Sequence, residues 1–416
     1  MRVLISGAGI AGPALAWWLA KTGARITVVE KAAALFPHGQ NVDIQGTARK
    51  VVKKMGLLEE VLRYNTTEKG TQLIDAKGRP FAPFPVREDA NGASATSEFE
   101  VLRGDLAAIF YKATKDEPNV DYLFSTTIEK IVSNDDESVK VQLSSGETQK
   151  YDVLVAADGQ WSKVRKQVFP KDAITVVDKN MYVCYWTIPR LPMDNSWWNI
   201  YCALRSRIIT LRPDPHGTIR AMFSMMPCNA AEKAAWEDAS RKDRKLQQEL
   251  CRSHFADAGW QAQRLLSSMD QASDFYFQAI KQIKMSKWSK GRIICLGDTA
   301  FAPSPLTGMG TSLAILGSYV LAGELSKLNA GDHPAKAFDS YETIFRPFVE
   351  EMQQVPWIFP DLVHPQTAIK RWMLSSFLSL LSKIVAIPWL ASRFNGADNE
   401  DFKLPVYAQF EGEKST

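Results

Sequence analysis

Apolar and polar residues follow three different patterns along the chain, and each pattern predicts a different kind of structure. Residues 2–6 and 25–30 form short, largely apolar runs on either side of a helical stretch at 13–21. Such runs are typical of parallel strands that are buried on both faces. The amino-terminal segment therefore predicts a strand, a helix and a second strand.

The middle of the chain predicts helices at 48–62 and 102–115, and strands joined by turns at 134–136 and 145–146. Strand-like runs dominate 173–224, where Pro215-His216-Gly217 marks a tight hairpin of an antiparallel sheet. A charged helical stretch covers 231–255. After Trp288 the pattern predicts a strand at 292–296, a proline and glycine loop and a helix at 311–328. The remainder is helical, with prolines at 347, 356, 360 and 365 predicted to interrupt it.

A glycine motif gives the first strand and helix a chemical role. Gly7-Ala8-Gly9-Ile10-Ala11-Gly12 follows the strand and opens the helix, which is the context of a dinucleotide-binding turn. The first glycine permits the turn, the second lets a pyrophosphate approach the backbone, and the third lets helix and strand pack closely. The amino terminus of the helix then faces the phosphates. The motif does not distinguish NAD from FAD, because both contain adenosine diphosphate.

An acidic residue follows the glycine motif at the expected spacing. Glu30 ends the second strand and is followed by Lys31, about 20 positions after the motif. A carboxylate there accepts hydrogen bonds from ribose hydroxyls and would repel a 2′-phosphate. The sequence therefore predicts a nucleotide with an unphosphorylated adenosine ribose.

The composition excludes several classes of function. The 416 residues are 45% hydrophobic and carry a net charge of +4 without a long basic run, which argues against nucleic-acid binding. Five cysteines form no C-x-x-C pair, and five histidines are scattered, so we expect neither a disulfide framework nor a metal site. This pattern favours a reducing, cytoplasmic location.

Three further stretches carry a resemblance to a known family. They are EVLRGDL with Arg103, VLVAADGQWSKVR with Asp158-Gly159 and Arg165, and RIICLGDTAFAPSPLTGMGTSLAI with Gly297-Asp298 and Gly308-Met309-Gly310. From Arg2 to about Leu328 the chain resembles the FAD-dependent aromatic hydroxylases, the single-component (class A) flavoprotein monooxygenases. This family includes salicylate hydroxylases and tetracycline-inactivating monooxygenases.

The resemblance implies a tightly bound FAD. The cofactor-binding residues that we expect are Gly7, Gly9, Ala11, Gly12, Glu30, Lys31, Asp43, Arg103, Asp158, Gly297, Asp298, Pro305, Gly308, Met309 and Gly310. Asp298 would accept hydrogen bonds from the ribityl hydroxyls, and Pro305 would lie at the flavin face. The peptide N–H groups of Gly308 and Met309 would hold the pyrimidine end of the ring.

Two positions depart from the family pattern. Phe301 follows Ala300 where the family often has histidine, and Gln45 stands where many relatives place arginine. In the same NVDIQG segment, Asp43 resembles the residue that contacts the cofactor in tetracycline-oxidising relatives.

The resemblance also implies a reaction. NAD(P)H, with NADPH favoured, reduces the flavin, and oxygen adds to give a flavin C4a-hydroperoxide. This species transfers one oxygen atom to a lipophilic aromatic or unsaturated small molecule, in specialised metabolism. No acid or base is assigned to the substrate.

Alternative functions are a halogenase, a reductase of unsaturated lipids and a non-catalytic FAD-binding partner protein. The segment Trp186-Thr187-Ile188-Pro189 resembles half of the halogenase W-x-W-x-I-P pattern, but Cys184 replaces the first tryptophan.

Together these patterns predict an α/β fold in three parts. A Rossmann-like, discontinuous FAD-binding domain comprises 1–70, 98–172 and 286–330, and an inserted antiparallel substrate domain comprises 71–97 and 173–285. Residues 331–416 form a helical carboxy-terminal region. Large aromatic side chains on the inserted strands would either line a substrate cavity or form the core of the sheet: Tyr182, Tyr185, Trp186, Trp197, Trp198 and Tyr201.

Four arginines alternate with apolar residues in the inserted sheet, and a solvated strand face is expected for each, although one could bind a phenolate. They are Arg205, Arg207, Arg212 and Arg220. The apolar segment 373–391 contains Lys383 and Pro388, which count against a transmembrane span. Its helices would pack over the substrate entrance or make weak peripheral contact with a membrane. We expect a monomer or a homodimer.

Overall fold

The computed structural model describes residues 1–36, 39–86, 97–355, 359–385 and 402–411. It has the expected α/β fold, and the described residues form one mainly parallel sheet, one mainly antiparallel sheet and two smaller antiparallel sheets of three and two strands. The strands are β1 (Arg2–Ser6), β2 (Arg25–Val29), β3 (Asn41–Asp43), β4 (Gly70–Ile74), β5 (Pro80–Pro85), β6 (Glu100–Leu102), β7 (Val120–Leu123), β8 (Ile128–Asn134), β9 (Val139–Leu143), β10 (Thr148–Tyr151), β11 (Val153–Ala156), β12 (Ile174–Pro189), β13 (Trp198–Ala203), β14 (Arg207–Pro213), β15 (Thr218–Met225), β16 (Tyr276–Met285), β17 (Ser289–Lys290) and β18 (Ile293–Cys295).

The helices cover both sheets and form most of the carboxy-terminal part. They are α1 (Ala11–Ala20), α2 (Thr47–Lys54), α3 (Leu58–Arg63), α4 (Arg103–Lys112), α5 (Lys163–Val168), α6 (Ala230–Ala239), α7 (Arg244–Phe255), α8 (Ala262–Met269), α9 (Asp298–Phe301), α10 (Gly310–Ser326), α11 (Ala335–Met352), α12 (Phe359–Val363) and α13 (Ala368–Val385).

The first sheet has six strands in the order β17-β18-β11-β1-β2-β7. All neighbours are parallel except β17 and β18. The central strand β1 pairs with β2 on one side and with β11 on the other, so the connections leave it in opposite directions. Open α/β sheets bind ligands in a crevice at the carboxyl ends of the strands, at the point where the connections reverse direction.

The second sheet has seven strands in the order β16-β12-β15-β14-β13-β4-β5, and only β13 and β4 are parallel. Its outer face forms a core with α6, α7 and α8, which contains Trp186, Phe223 and Phe255. Its inner face carries Val183 and the partly buried Met222, which form a smaller cluster with Leu306, the residue after Pro305. The inner face of the sheet therefore lies against the proline loop that follows β18.

The described residues of the carboxy-terminal part are mainly helical, as expected. Helix α11 packs beside α10, and α13 packs beside β5. The side of α13 that faces away carries five large apolar side chains, each at least 59% exposed, which we call the apolar stripe: Ile369, Trp372, Met373, Phe377 and Leu380. Within the described ranges no helix is both long and apolar enough to cross a membrane.

Three local predictions were wrong. The helix expected at 48–62 is divided into α2 and α3, because Gly56 adopts a left-handed φ of 72°. The charged stretch 231–255 also forms two helices, α6 and α7. Pro347 does not interrupt α11, where Tyr341, Phe345 and Val349 form a continuous buried face on both sides of it. Pro356 lies outside the described residues, and the domain limits stay a prediction.

Candidate functional site

The glycine motif forms a tight turn between β1 and α1. Gly7 has a φ of 110°, and its N–H donates to the Val29 carbonyl at 2.8 Å. A methyl group on Gly12 would lie 2.0 Å from the Gly7 carbonyl oxygen, so close packing requires glycine there. A methyl group on Gly9 would meet no atom within 4 Å. No side chain caps α1, so its first N–H groups have no capping side chain as a partner.

Glu30 lies directly beside this turn. Its two carboxylate oxygens accept hydrogen bonds from the backbone N–H groups of Ala8 and Ala32, each at 2.9 Å. These bonds fix the carboxylate at the end of β2, and each oxygen retains a second lone pair for a ligand hydroxyl. Lys31 follows with an exposed side chain.

The loops after β11 and β18 are joined by hydrogen bonds. The N–H of Gly159 donates to Oγ1 of Thr299 at 2.9 Å. The buried guanidinium of Arg165 donates to the carbonyl oxygens of Thr299 at 2.6 Å and Gln160 at 2.7 Å. Thr299 was not among the predicted site residues, although it lies in the Gly-Asp-Thr sequence that carried the resemblance.

Asp158 has one occupied and one unpartnered oxygen. Its Oδ2 accepts from the N–H groups of Lys163 at 2.9 Å and Val164 at 3.4 Å, at the start of α5. Its Oδ1 is buried and has no hydrogen-bond partner in the described part of the chain. A methyl group on Gly7 would lie 3.0 Å from the Asp158 Cα, so this loop adjoins the glycine turn. This carboxylate oxygen is therefore available to accept a hydrogen bond from a ligand.

The charge of Arg103 acts on the carboxylate of Asp298. Burial raises the pKa of Asp298, and the charge of Arg103 partly offsets that rise. Arg103 is the first residue of α4 and is exposed. A methyl group on Gly310 would lie 3.7 Å from Oδ1 of Asp298, and one on Gly297 would lie 3.2 Å from the Ala11 side chain. The residues of the two glycine loops therefore belong to one site.

The loop of residues 303–310 follows α9 and leads into α10. Pro305 is exposed, and Gly308 has a φ of 65°. The Gly308 N–H donates to the Pro305 carbonyl and the Met309 N–H donates to Oγ1 of Thr307, both at 3.2 Å. Both N–H groups expected at the pyrimidine end therefore already have partners inside the loop. No side chain caps α10, which begins directly after this loop segment at Gly310.

Gln45 links this loop to the NVDIQG segment. Its N–H donates to Oγ of Ser312 at 2.9 Å, and its side-chain Nε2 would lie 3.1 Å from a methyl group on Gly308. The departure at Gln45 thus places an uncharged amide beside the loop. Ser312 is a further contact that sequence analysis missed.

Asp43 lies in a buried group of charges. Its Oδ1 accepts from Oγ of Ser97 at 2.6 Å, and burial raises its pKa to about 6. Arg212, from the inner face of the antiparallel sheet, donates to Glu68 at 2.7 Å and also to Glu100. Burial and the neighbouring Glu68 raise the pKa of Glu100 to about 8, although Arg212 opposes the rise.

The arginines of the inserted sheet are not a solvated face. Arg207, Arg212 and Arg220 are buried or nearly so and pair with carboxylates, whereas Arg205 is exposed and pairs with Glu232. The expectation of a solvated strand face was therefore wrong for Arg207, Arg212 and Arg220. Their strands show an alternating sequence pattern, but helices or loops cover both faces of this sheet.

The large aromatics divide between the two faces of this sheet. Tyr182, Trp186 and Tyr201 belong to the outer core, whereas Trp198 stacks under the guanidinium of Arg212 at 3.9 Å on the inner side. The inner face also carries Ser224, whose hydroxyl lies 2.8 Å from Nε2 of the buried His364. Burial lowers the pKa of His364 to about 4, so this imidazole is neutral near pH 7.

Phe301, which stands where the family often has histidine, is part of the aromatic core. It is 1% exposed, and its ring centroid lies 4.8 Å from that of Trp288 and 5.7 Å from that of Phe345. The side chain extends the aromatic core behind the loop, and Gly297 and Asp298 keep their places.

The residues of the crevice fit a flavin dinucleotide. An uncapped helix and the open space at Gly9 suit a pyrophosphate, and the Glu30 carboxylate beside them suits a ribose. The unpartnered oxygen of Asp158 and the carboxylate of Asp298 are acceptors for further hydroxyl groups. A Rossmann-like sheet with one uncapped glycine-rich helix at its switch point and a second one after β18 is typical of an FAD-binding protein.

Comparison with known proteins agrees with this class. The model of the FAD binding domain family matches residues 1–355, and the chain therefore belongs to this family. It is 37% identical over 355 residues to a flavin-dependent monooxygenase from an unknown prokaryotic organism, covering 85% of this chain and 87% of that one. It is 35% identical over 393 residues to monooxygenase CTB7 of Cercospora beticola, covering 92% of each.

A solved structure extends the similarity to the whole fold. The crystal structure of tetracycline destructase Tet(55) superposes with a TM-score of 0.78 at 29% identity, covering 97% of this chain and 98% of that one. The chain is a flavin-dependent monooxygenase and hence an oxidoreductase. The predicted family resemblance and the cofactor FAD are confirmed.

Proposed function

We propose that this monooxygenase consumes NAD(P)H, with NADPH favoured, and inserts one oxygen atom into a lipophilic aromatic or unsaturated small molecule of specialised metabolism. When bound, FAD supplies the oxygen-activating chemistry at its C4a carbon. The chain binds and orients this cofactor, excludes water and holds the substrate.

The adenosine half of FAD lies along the first glycine turn. Gly7, Gly9, Ala11 and Gly12 let the pyrophosphate approach the amino terminus of α1, and its N–H groups stabilise the phosphate charge. Glu30 accepts from the ribose hydroxyls, and the exposed Lys31 lies beside them. The open space at Gly9 supports this assignment.

The flavin half lies between the two later loops. Asp298 and Asp158 accept from hydroxyl groups, Arg103 contributes a positive charge, and Gly297 and Gly310 allow close approach. Pro305 lies at the ring face, with Gly308 and Met309 beside the pyrimidine end. The uncapped α10 supports the assignment, because a helix amino terminus stabilises anionic reduced flavin. Asp43 approaches the cofactor from the β3 side, where its raised pKa favours a neutral carboxyl at low pH.

The inner face of the antiparallel sheet supports a lipophilic substrate. It places Val183 and Met222 against Leu306 of the 303–310 loop, and these three side chains carry no charge. Such apolar surface near a few fixed polar groups is typical of small-molecule sites. The fused rings of tetracycline, which a similar protein degrades according to its name, are a suitable probe.

The apolar stripe on α13 supports weak contact with a membrane surface. Lys370 and Lys383 border the stripe, and α13 contains no acidic residue. A helix of this kind lies in the interface of an anionic bilayer. We keep a cytoplasmic location, and a monomer or homodimer, as part of the proposal.

The proposal is tested with purified protein reconstituted with FAD. We expect NADPH to be oxidised faster when tetracycline or a polyphenolic metabolite is added, with a product heavier by one oxygen atom. Met222→Trp should abolish this stimulation while the flavin spectrum is retained, because the indole fills the inner face. Met193→Trp is the matched control, since Met193 is 70% exposed in a loop. The absence of any oxygenated product from a broad metabolite extract would refute the proposal.

A further inference from the structure

Two buried glutamines lie behind the 303–310 loop, outside every motif described above. Gln282 is on β16 and is 1% exposed, and Gln353 follows the last turn of α11 and is 3% exposed. Neither side chain reaches the glycine turns. A buried primary amide must satisfy two donors, so its partners indicate what it holds.

Both amides donate to main-chain carbonyls around the start of the loop. Nε2 of Gln282 donates to the carbonyl of Pro303 at 2.7 Å and to that of Gln353 at 2.8 Å. Nε2 of Gln353 donates to the carbonyl of Ile283 at 2.8 Å and to that of Ala302 at 3.3 Å. The two side chains therefore connect β16, the end of α11 and the first residues of the loop.

The next residue after this anchor has a strained backbone. Ser304 has a φ of 78° and a ψ of 151°, a conformation that non-glycine residues rarely adopt. Such a conformation is energetically unfavourable and persists only where the surrounding structure imposes it. The Ser304 carbonyl accepts from Oγ1 of Thr307 at 3.1 Å, which holds the other side of the strained residue.

The loop begins in buried surroundings, where Ala302 is 4% and Ser304 is 5% exposed. Beside α9, which precedes the loop, lies an open cleft of about 630 Å³ that is lined by Ala300, Phe301 and Gln353 among others. In front, Leu306 contacts the inner-face cluster and Pro305 is exposed. Hydrogen bonds from the two amides, together with the Ile283 N–H that donates to the Ala302 carbonyl at 3.0 Å, therefore fix the amino-terminal end of the loop.

We propose that Gln282 and Gln353 are positioning residues that hold the 303–310 loop in its strained conformation against the flavin ring, and thereby determine the flavin's redox environment. The inference rests on the proposed role of this loop in the monooxygenase. Without the Gln282 donor, Ser304 relaxes, the loop moves from the ring and water reaches the reduced cofactor.

The test compares Gln282→Met with Gln248→Met in the FAD-loaded protein. Methionine is close to glutamine in length but donates no hydrogen bond. Gln248 on α7 donates to the Met269 carbonyl at 3.0 Å, so its replacement also removes one side-chain to main-chain bond, far from the loop. We expect Gln282→Met to shift the midpoint potential of bound FAD and to raise hydrogen peroxide formed per NADPH severalfold. Gln248→Met should change neither.

A carboxyl at the same position provides a conservative rescue. In Gln282→Glu the buried side chain donates one hydrogen bond when it is protonated, so the potential should return towards the wild-type value at low pH and depart from it at high pH. Gln353→Met, which removes the bonds to Ile283 and Ala302, should reproduce the shift in the midpoint potential. This variant replaces Gln282→Met in the comparison if Gln282→Met does not fold.

Outcomes separate this inference from the proposed function. If Gln282→Met and Gln353→Met lower the melting temperature but keep the wild-type potential and peroxide ratio, the glutamines are only structural and the inference is refuted. If the wild-type protein itself neither binds FAD nor oxidises NADPH, the proposed function fails first.

Discussion

The glycine turn offers a pair of substitutions that separate cofactor binding from folding. A methyl group on Gly9 meets no protein atom within 4 Å, so Gly9→Ala should fold as the wild type does. The same methyl group enters the space that we assign to the pyrophosphate. Displacing the phosphates costs at least one charge-assisted hydrogen bond, about 1.5–3 kcal/mol. We therefore expect FAD to bind about tenfold to a hundredfold more weakly.

Gly12→Ala is the matched comparison. Its methyl group would lie 2.0 Å from the Gly7 carbonyl oxygen, and neither backbone can move without disturbing the contact of β1 with α1. Overpacking of this kind costs about 3 kcal/mol, so the apoprotein should unfold at lower urea concentration. For Gly9→Ala the apoprotein transition should not change.

Two measurements on the same samples check these expectations: urea unfolding of the apoprotein, and titration of the apoprotein with FAD followed by flavin fluorescence. Wild-type affinity for FAD in Gly9→Ala would refute the assignment of the open space to the pyrophosphate. A destabilised apoprotein of Gly9→Ala would show instead that the turn is packed differently.

Three further predictions concern the rest of the chain. Arg165→Met leaves two buried carbonyl oxygens without donors and should lower the free energy of urea unfolding by about 2–4 kcal/mol; an unchanged midpoint would contradict the bridge between the loops. The pKa of His364 falls from 6.5 to about 4 on folding, so its stabilising contribution is complete above pH 6.5 and is lost as the pH falls towards 4. The wild type should therefore lose roughly 3 kcal/mol relative to His364→Gln between these limits, and parallel pH profiles would exclude the effect. Vesicles of phosphatidylcholine and phosphatidylglycerol should sediment part of the wild-type protein but less of Trp372→Ser/Phe377→Ser, and equal sedimentation would exclude contact through the apolar stripe.

The sequence by itself determined the cofactor half of the site. Strand, glycine motif and helix are adjacent along the chain, and a turn between β1 and α1 depends on local conformation and on spacing. The same holds for Gly297-Asp298 and Gly308-Met309-Gly310, which lie in one stretch. For this reason the fold class, the family and FAD could all be predicted before the structure was known.

Only the tertiary structure decided what surrounds that site. An alternating strand pattern does not show which face of the sheet is covered, so the sequence could not place Tyr182 and Trp198 on opposite faces. For the same reason it could not predict that Arg212 forms ion pairs with Glu68 and Glu100. Gln282 and Gln353 lie 71 positions apart in sequence and share a hydrogen bond, because β16 and α11 meet behind the loop. Contacts of this range depend on how the elements pack, and no local pattern encodes them.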